Sequence, residues 1–371
     1  MKNVLIQCLH RPGRSPSQRF RFEQYLDYLS QNGYNFTFSY LLNDKADKEF
    51  YSAGNMTGKL RIVVKSAWKR LKELQTTSEY DLVFVQREGF MLGTAFFEKA
   101  MGKKVPLIFD FDDSIWLQTI SEANRKLAFL KDASKTSKII EASSLVFAGN
   151  EFLANYAQQF NRSVKIVPTT IDTELYQKVS RPLENSICIG WSGSFSTVDH
   201  FKTALPALTK IKEKYAGKVK FKIIGDGNYY CEELGTQALP WVASTEVEDL
   251  NKFDIGIMPL PDTEWAKGKC GLKGLQYMAL GIPTLMSPVG VNTQIIQNGA
   301  NGFLPGNDQE WVQYLSALID DIDLRRRIGE AGRETVIQNY SFSTWKSKYL
   351  ECFNNLVLEK NFNEETRTGL F

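Results

Sequence analysis

The chain has 371 residues, 43% hydrophobic and 23% charged, which suits a globular protein too long for one core and of the right size for two domains. A net charge of +3 gives no global reason to expect a nucleic acid partner, and no stretch approaches the roughly 18 apolar residues of a membrane span. The five cysteines and two histidines are scattered without metal-ligand spacing, and the apolar run in MKNVLIQCLHRPGR is too short for a signal peptide. Reduced thiols, a cytoplasmic location and no bound metal are therefore expected.

Strands and helices alternate along the first half. KNVLIQCL reads as a buried strand, followed by the polar loop HRPGRSPSQ and an amphipathic helix, RFRFEQYLDYLSQNG, stopped at Gly33. YNFTFSYLL, DLVFVQ, PLIFDF, SLVFAG and SVKIVPT continue as short apolar strands with helices between them. After the polar stretch YQKVSRPLENS the series restarts with SICIGWSG, VKFKIIGDG, DIGIMPL and PTLMSP, and beyond about residue 308 the pattern is helical. Each half is a run of βα units, which predicts two doubly wound parallel sheets. The expected domains are 1–175 and 176–341, with a terminal helix over 342–371 returning to the first. Ligands of such sheets sit beyond the carboxyl ends of the strands, so two facing sheets would share one cleft.

Those strand-end loops carry the chemistry. In GKCGLKGLQ (268–276), Gly271 and Leu272 open a helix whose unpaired N–H groups make an anion site. Lys269 and Lys273 lie four apart on one helical face, and Gln276 lies near it with an amide suited to hydroxyls. A diphosphate at the helix start with a ribose one turn on would satisfy all of these, whereas ordinary solvated lysines are the plainer reading. Gly193 and Ser194, in the loop Ser192–Ser194, allow close phosphate approach. FDFDDSIW places Asp110, Asp112 and Asp113 at a strand end, and at least one is expected to face ligand. In the loop 10–22, Gly13 gives flexibility and Arg11, Arg14, Arg19 and Arg21 give charge to grip an anionic acceptor or the donor diphosphate. Arg87 and Glu88 follow another strand and add to the same edge. KLRIVVKSAWKRLKEL (59–74) is a basic amphipathic helix, suited either to its own sheet or to peripheral contact with an anionic membrane.

These residues together resemble glycosyltransferase family 4, the retaining group with the GT-B fold. The motif E-x-F-G-L-x-x-x-E, then A-M-A-x-G-x-P, is matched by GKCGLKGLQ and YMALGIP, followed by SPVG, NGANGFL and the tail RRRIGEAGRETV. The resemblance implies two Rossmann-like domains facing a central cleft, with C-terminal helices crossing back to the first domain. It implies transfer of a sugar from a nucleotide-diphosphate donor to an acceptor hydroxyl with retention, with no metal and no cofactor beyond the donor. The departing phosphate would take the acceptor proton. The acceptor would be a sugar or a lipid-linked molecule, in cell-envelope polysaccharide or glycolipid synthesis at the inner face of the membrane.

This chain departs from the motif at both glutamates, where Gly268 and Gln276 stand, and the family's diphosphate-binding Arg and Lys align with Ser194 and Asp199. Lys269 and Lys273 are the expected substitutes, and Asp112 aligns with the family's catalytic-site histidine and would contact the transferred sugar. Gly193, Ser194, Gly271, Leu272 and Gln276 would hold the donor, with Gly13 and Arg14 on the other side. Acid is lost, lysine gained and carboxylates gained, which favours a divergent enzyme over a decayed one. The alternatives are a non-catalytic nucleotide-sugar-binding or scaffold subunit of a polysaccharide assembly complex and, less favoured, a sugar-nucleotide epimerase.

Overall fold

The apolar runs pair as parallel strands, the inner ones buried on both faces, as crossover helices require. The computed structural model describes residues 1–52, 54–117, 132–179, 186–194 and 197–368. The chain divides into two units, Met1–Pro168 with Lys346–Phe371, and Thr169–Trp345.

The first unit is built on β1 (Lys2–His10), β2 (Tyr34–Leu42), β3 (Leu82–Gln86), β4 (Leu107–Phe111), β5 (Leu145–Ala148) and β6 (Val164–Ile166). They form one parallel sheet in the order β2-β1-β3-β4-β5-β6. Val4, Leu5, Val83, Leu107, Ile108 and Val146 are essentially inaccessible at its centre. From Lys346 onward the C-terminal helix Phe342–Thr368 belongs to this unit. Tyr349 stacks on Tyr25 with centroids 4.2 Å apart, and Phe353 meets Tyr34 edge-on at 5.6 Å.

The second unit contains β7 (Ile187–Ser192), β8 (Val219–Gly225), the small antiparallel pair β9 (Tyr230–Cys231) and β10 (Thr236–Gln237), then β11 (Leu239–Pro240), β12 (Ile255–Met258) and β13 (Thr284–Met286). Its main sheet is parallel in the order β11-β8-β7-β12-β13. Ile189, Trp191, Phe201, Leu208, Leu315 and Ile328 pack in one core against it.

Two expectations are adjusted. The helix expected over RFRFEQYLDYLSQNG is reduced to a 3₁₀ turn at Glu23–Tyr25 and the helix Leu26–Gln31, while a short helix, Pro16–Arg19, forms in the expected loop before it. The break falls at Phe22 (φ −136°, ψ −33°), next to an Arg21 that is turned into the core. The division between units lies at Pro168 and Thr169 instead of 175 and 176. Ile171 exchanges backbone hydrogen bonds with Tyr340 and Phe342, and the Arg333 guanidinium donates to the carbonyls of Tyr176 (2.8 Å) and Thr173 (3.3 Å). These bonds fasten Thr169–Tyr176 to the second unit. The expected linker beyond it falls partly outside the described residues.

Candidate functional site

In the second unit the segment leaving β12 ends at the helix Leu272–Ala279, which begins at the sheet's carboxyl edge. Gly271 is the N-cap with φ +71°, a left-handed conformation that glycine adopts without strain, and no side chain caps this helix start. The first-turn N–H groups therefore present their partial positive charge at the edge. Lys273 lies over the ring of Trp191 with its Nζ 5.8 Å from the centroid, and Lys269 lies over Trp265 at 5.2 Å. Trp191 is in β7, so Lys273 joins the helix start to the strand end that carries Ser192, Gly193 and Ser194. The negative face of an aromatic ring attracts each ammonium group.

The glycines here serve packing as well as access. A Cβ on Gly193 would stand 2.3 Å from the Trp191 ring, and one on Gly274 would stand 2.5 Å from the Met286 sulfur. The small-residue loop that suggested phosphate approach is thus also needed to seat Trp191. Ser194 accepts from the Thr197 backbone N–H at 2.9 Å through its carbonyl, and Asp199 pairs with Lys202 at the surface. Past β13, Asn292 is fully buried and donates to the Ser287 carbonyl at 2.9 Å, while the Ser287 hydroxyl accepts from Leu260 N–H at 2.9 Å.

Gln276 is not on the solvent side of the helix. It is buried, and its Nε2 donates to the Tyr176 hydroxyl at 3.0 Å. That hydroxyl donates to Glu246 Oε2 at 2.7 Å, and Trp241 Nε1 donates to Glu246 Oε1 at 2.8 Å. Gln276 was expected near the face of the two lysines with its amide offered to hydroxyls, and the hydroxyl it meets here is that of Tyr176. The buried chain supplies a reason for glutamine there: Tyr176 has one proton, already given to a carboxylate, so its neighbour must be a donor. Tyr176, Glu246 and Trp241 had no signature in the sequence.

In the first unit the carboxyl edge gathers His10 from β1, Arg87 after β3 and Asp112 and Asp113 after β4. Asp47 accepts from Arg14 Nε at 2.8 Å and faces Arg11 and His10 Nδ1, each at 3.5 Å. Tyr51 stacks on His10, with its hydroxyl 3.4 Å from Nε2. Gly13 donates its N–H to Glu23 at 2.8 Å. The basic loop is thus braced by carboxylates, and Arg14 remains partly exposed. Arg21 is different: it is fully buried, paired with Asp110 and donating to the Val167 carbonyl. Asp110 therefore leaves the ligand-facing carboxylate cluster and serves the core. Burial raises its pKa against the pull of Arg21.

Asp112 and Asp113 remain at the edge, beside Arg87. Arg87 is one of two non-glycine residues with positive φ (61°) among the described residues. Its N–H donates to the Asp110 carbonyl at 2.7 Å, and its guanidinium lies 3.7 Å from Asp113 and within reach of Ser17. Burial works to lower its pKa, but Asp112, Asp113 and Glu88 outweigh that and hold it up. Strained non-glycine backbone at a strand end marks a position held by its surroundings. The loop is gripped from behind: Gly89 N–H donates to Glu98 at 2.8 Å, the Arg70 guanidinium donates to the Gly89 carbonyl, and Lys135 pairs with Glu88 at 2.6 Å. Among the described residues no group of three or more His, Cys, Asp or Glu side chains is arranged to hold a metal ion.

Residues 186–321 match the family model described as Glycosyl transferases group 1. The chain is 26% identical over 240 residues to the N-acetyl-alpha-D-glucosaminyl L-malate synthase of Bacillus anthracis, a match spanning 59% of this chain and 61% of that protein. Its fold is similar to sucrose-phosphate synthase from Thermosynechococcus elongatus, with TM-score 0.70 at 12% identity over 97% of this chain and all of the other. It is also similar to Anabaena HepE, solved with UDP and glucose, with TM-score 0.66 at 16% identity over 96% and 100% of the two chains. Residues 186–321 thus match a group 1 glycosyl transferase domain, in a chain whose two parallel α/β units share the GT-B fold of these solved structures.

Proposed function

We propose that the protein is a glycosyltransferase that moves a sugar from a nucleotide-diphosphate sugar to an acceptor hydroxyl with retention of anomeric configuration. The observation that carries this reading is the uncapped helix start at Gly271, flanked by Lys269 and Lys273, at the carboxyl edge of a group 1 transferase domain. In this reading the bond from the anomeric carbon to the diphosphate oxygen breaks while the acceptor oxygen bonds that carbon from the same face. The acceptor proton passes to the departing diphosphate. The charge that develops there is met by the helix N–H groups and the two lysines, without a metal. Gly193, Ser194 and Leu272 line the donor position, and Gln276 acts from beneath through Tyr176. Asp112 contacts the transferred sugar, and Gly13 and Arg14 lie on the acceptor side with Arg87. HepE was solved with UDP and glucose, which makes a UDP-sugar the first donor to try. The acceptor we propose is a sugar or a lipid-linked saccharide of the cell envelope.

The test is thermal stabilisation by UDP-, GDP-, ADP- and CDP-sugars, followed by transfer to an acceptor panel. A donor at about 100 times its Kd adds ~2.7 kcal/mol. Lys273→Ala is expected to weaken it about tenfold, or ~1.4 kcal/mol. Unchanged donor affinity in that variant refutes the role given to Lys273. No stabilisation by any donor near millimolar concentration replaces the transferase with the scaffold reading, which the loss of both motif glutamates at Gly268 and Gln276 favours.

A further inference from the structure

The helix Met56–Thr76 has an outward face of unusual composition. Met56, Leu60, Val64, Trp68 and Leu71 recur at helical spacing and are each between 41 and 63% exposed. A helix docked on its own sheet ordinarily turns polar residues outward. Here the stripe runs about 22 Å along the axis. Lys65 and Lys72 are exposed beside it, as is Arg61, which pairs with Glu49 at 3.3 Å. Glu73, the helix's one acidic residue, lies on the inward side with Arg70 at 2.7 Å and Gln7 at 2.9 Å. The inward face holds the unit together through Ile62, Ser66 and Arg70, and Lys69 donates to the Tyr40 carbonyl at 2.7 Å.

We propose that this face docks on the surface of an anionic lipid bilayer. The apolar stripe, with Trp68 near its middle, would sit at the boundary of headgroups and acyl chains, and Lys65 and Lys72 among the phosphates. The charge pattern selects this occupant. A second copy of the same face would set Lys65 and Lys72 against their like, whereas an anionic surface neutralises both. The helix follows β2 and the helix Asp44–Tyr51, so it starts at the carboxyl edge of the first sheet and runs back toward the start of β3. Its first turn is therefore on the edge that carries His10, Arg14 and Arg87. The docking does not rest on the transferase reading, because a chain that bound no sugar nucleotide would dock equally.

The experiment is co-sedimentation of the full chain with vesicles of phosphatidylcholine, with and without about 30% phosphatidylglycerol. Binding at least about tenfold stronger to the anionic vesicles is expected. It should fall about tenfold in Trp68→Ser and again in Lys65→Glu/Lys72→Glu, with the thermal midpoint of each variant near wild type because the side chains are exposed. Equal binding to both vesicle types, no binding to either, or variants that bind like wild type would each overturn the proposal. A concentration-dependent dimer abolished by Trp68→Ser, without vesicle binding, would give the face to a second copy instead.

Discussion

Gln276→Glu restores the acid of the family motif, and the buried chain around it makes the substitution costly. In the wild type the Gln276 amide donates to Tyr176 at 3.0 Å and Tyr176 donates to Glu246 at 2.7 Å, all among buried atoms. A second carboxylate removes the amide donor and faces a hydroxyl whose only proton is already committed. One lost hydrogen bond and one buried carboxylate without a donor together cost on the order of 3 kcal/mol. For a unit of this size that lowers the midpoint by about 6–12 °C. The penalty has a sign in pH. Burial and the neighbouring Glu246 raise the introduced carboxyl's pKa above its unfolded value near 4.3, so the cost is absent below about pH 4 and grows toward neutrality. The assay is the difference in midpoint between variant and wild type across pH 4–7 by circular dichroism, where each pH serves as its own control. A variant as stable as wild type at pH 7, or a difference that does not change with pH, refutes the donor–acceptor ordering assigned to Gln276, Tyr176 and Glu246.

Two further outcomes follow from the first unit. Asp110→Ala leaves the fully buried Arg21 without its carboxylate and is expected to cost about 3–5 kcal/mol in urea denaturation, while Arg21→Met/Asp110→Leu costs less. A double variant no better than the single one would count against the pair. Burial holds the His10 imidazole below its ordinary value near 6.5, opposed by Asp47 and reinforced by Arg14, Arg87 and Arg11, with the Tyr51 hydroxyl alongside. The unfolded chain then takes up the proton first, so stability falls as the pH drops below about 6.5. His10→Gln should flatten that part of the stability profile between about pH 6.5 and 5, and an unaltered slope would show that His10 is not its source.

The inner strands were legible because each is a short apolar run buried on both faces, and βα alternation leaves few topologies for such runs. The helix start after β12 was legible from Gly271 and the residues that follow it. What stayed hidden depends on pairs distant in sequence. Arg21 and Asp110 are 89 residues apart, and Gln276 and Tyr176 are 100 apart. Spacing predicts neighbours on one helix or strand, so it showed Arg21 as one more loop cation and Gln276 as a polar residue near the lysine face. Neither position says whether the residue points inward. The same limit applies to the helix Met56–Thr76, where periodicity shows two faces and only packing decides which is covered.

That helix grips in two directions. Trp68 points outward two residues before Arg70, and Arg70 holds the Gly89 carbonyl, two residues beyond the strained backbone of Arg87. One helix thus carries both the exposed stripe and the guanidinium that fixes the loop. Thermodynamic reciprocity then binds the two ends: an acceptor that is held more tightly when the helix is docked must, by the same factor, tighten the docking.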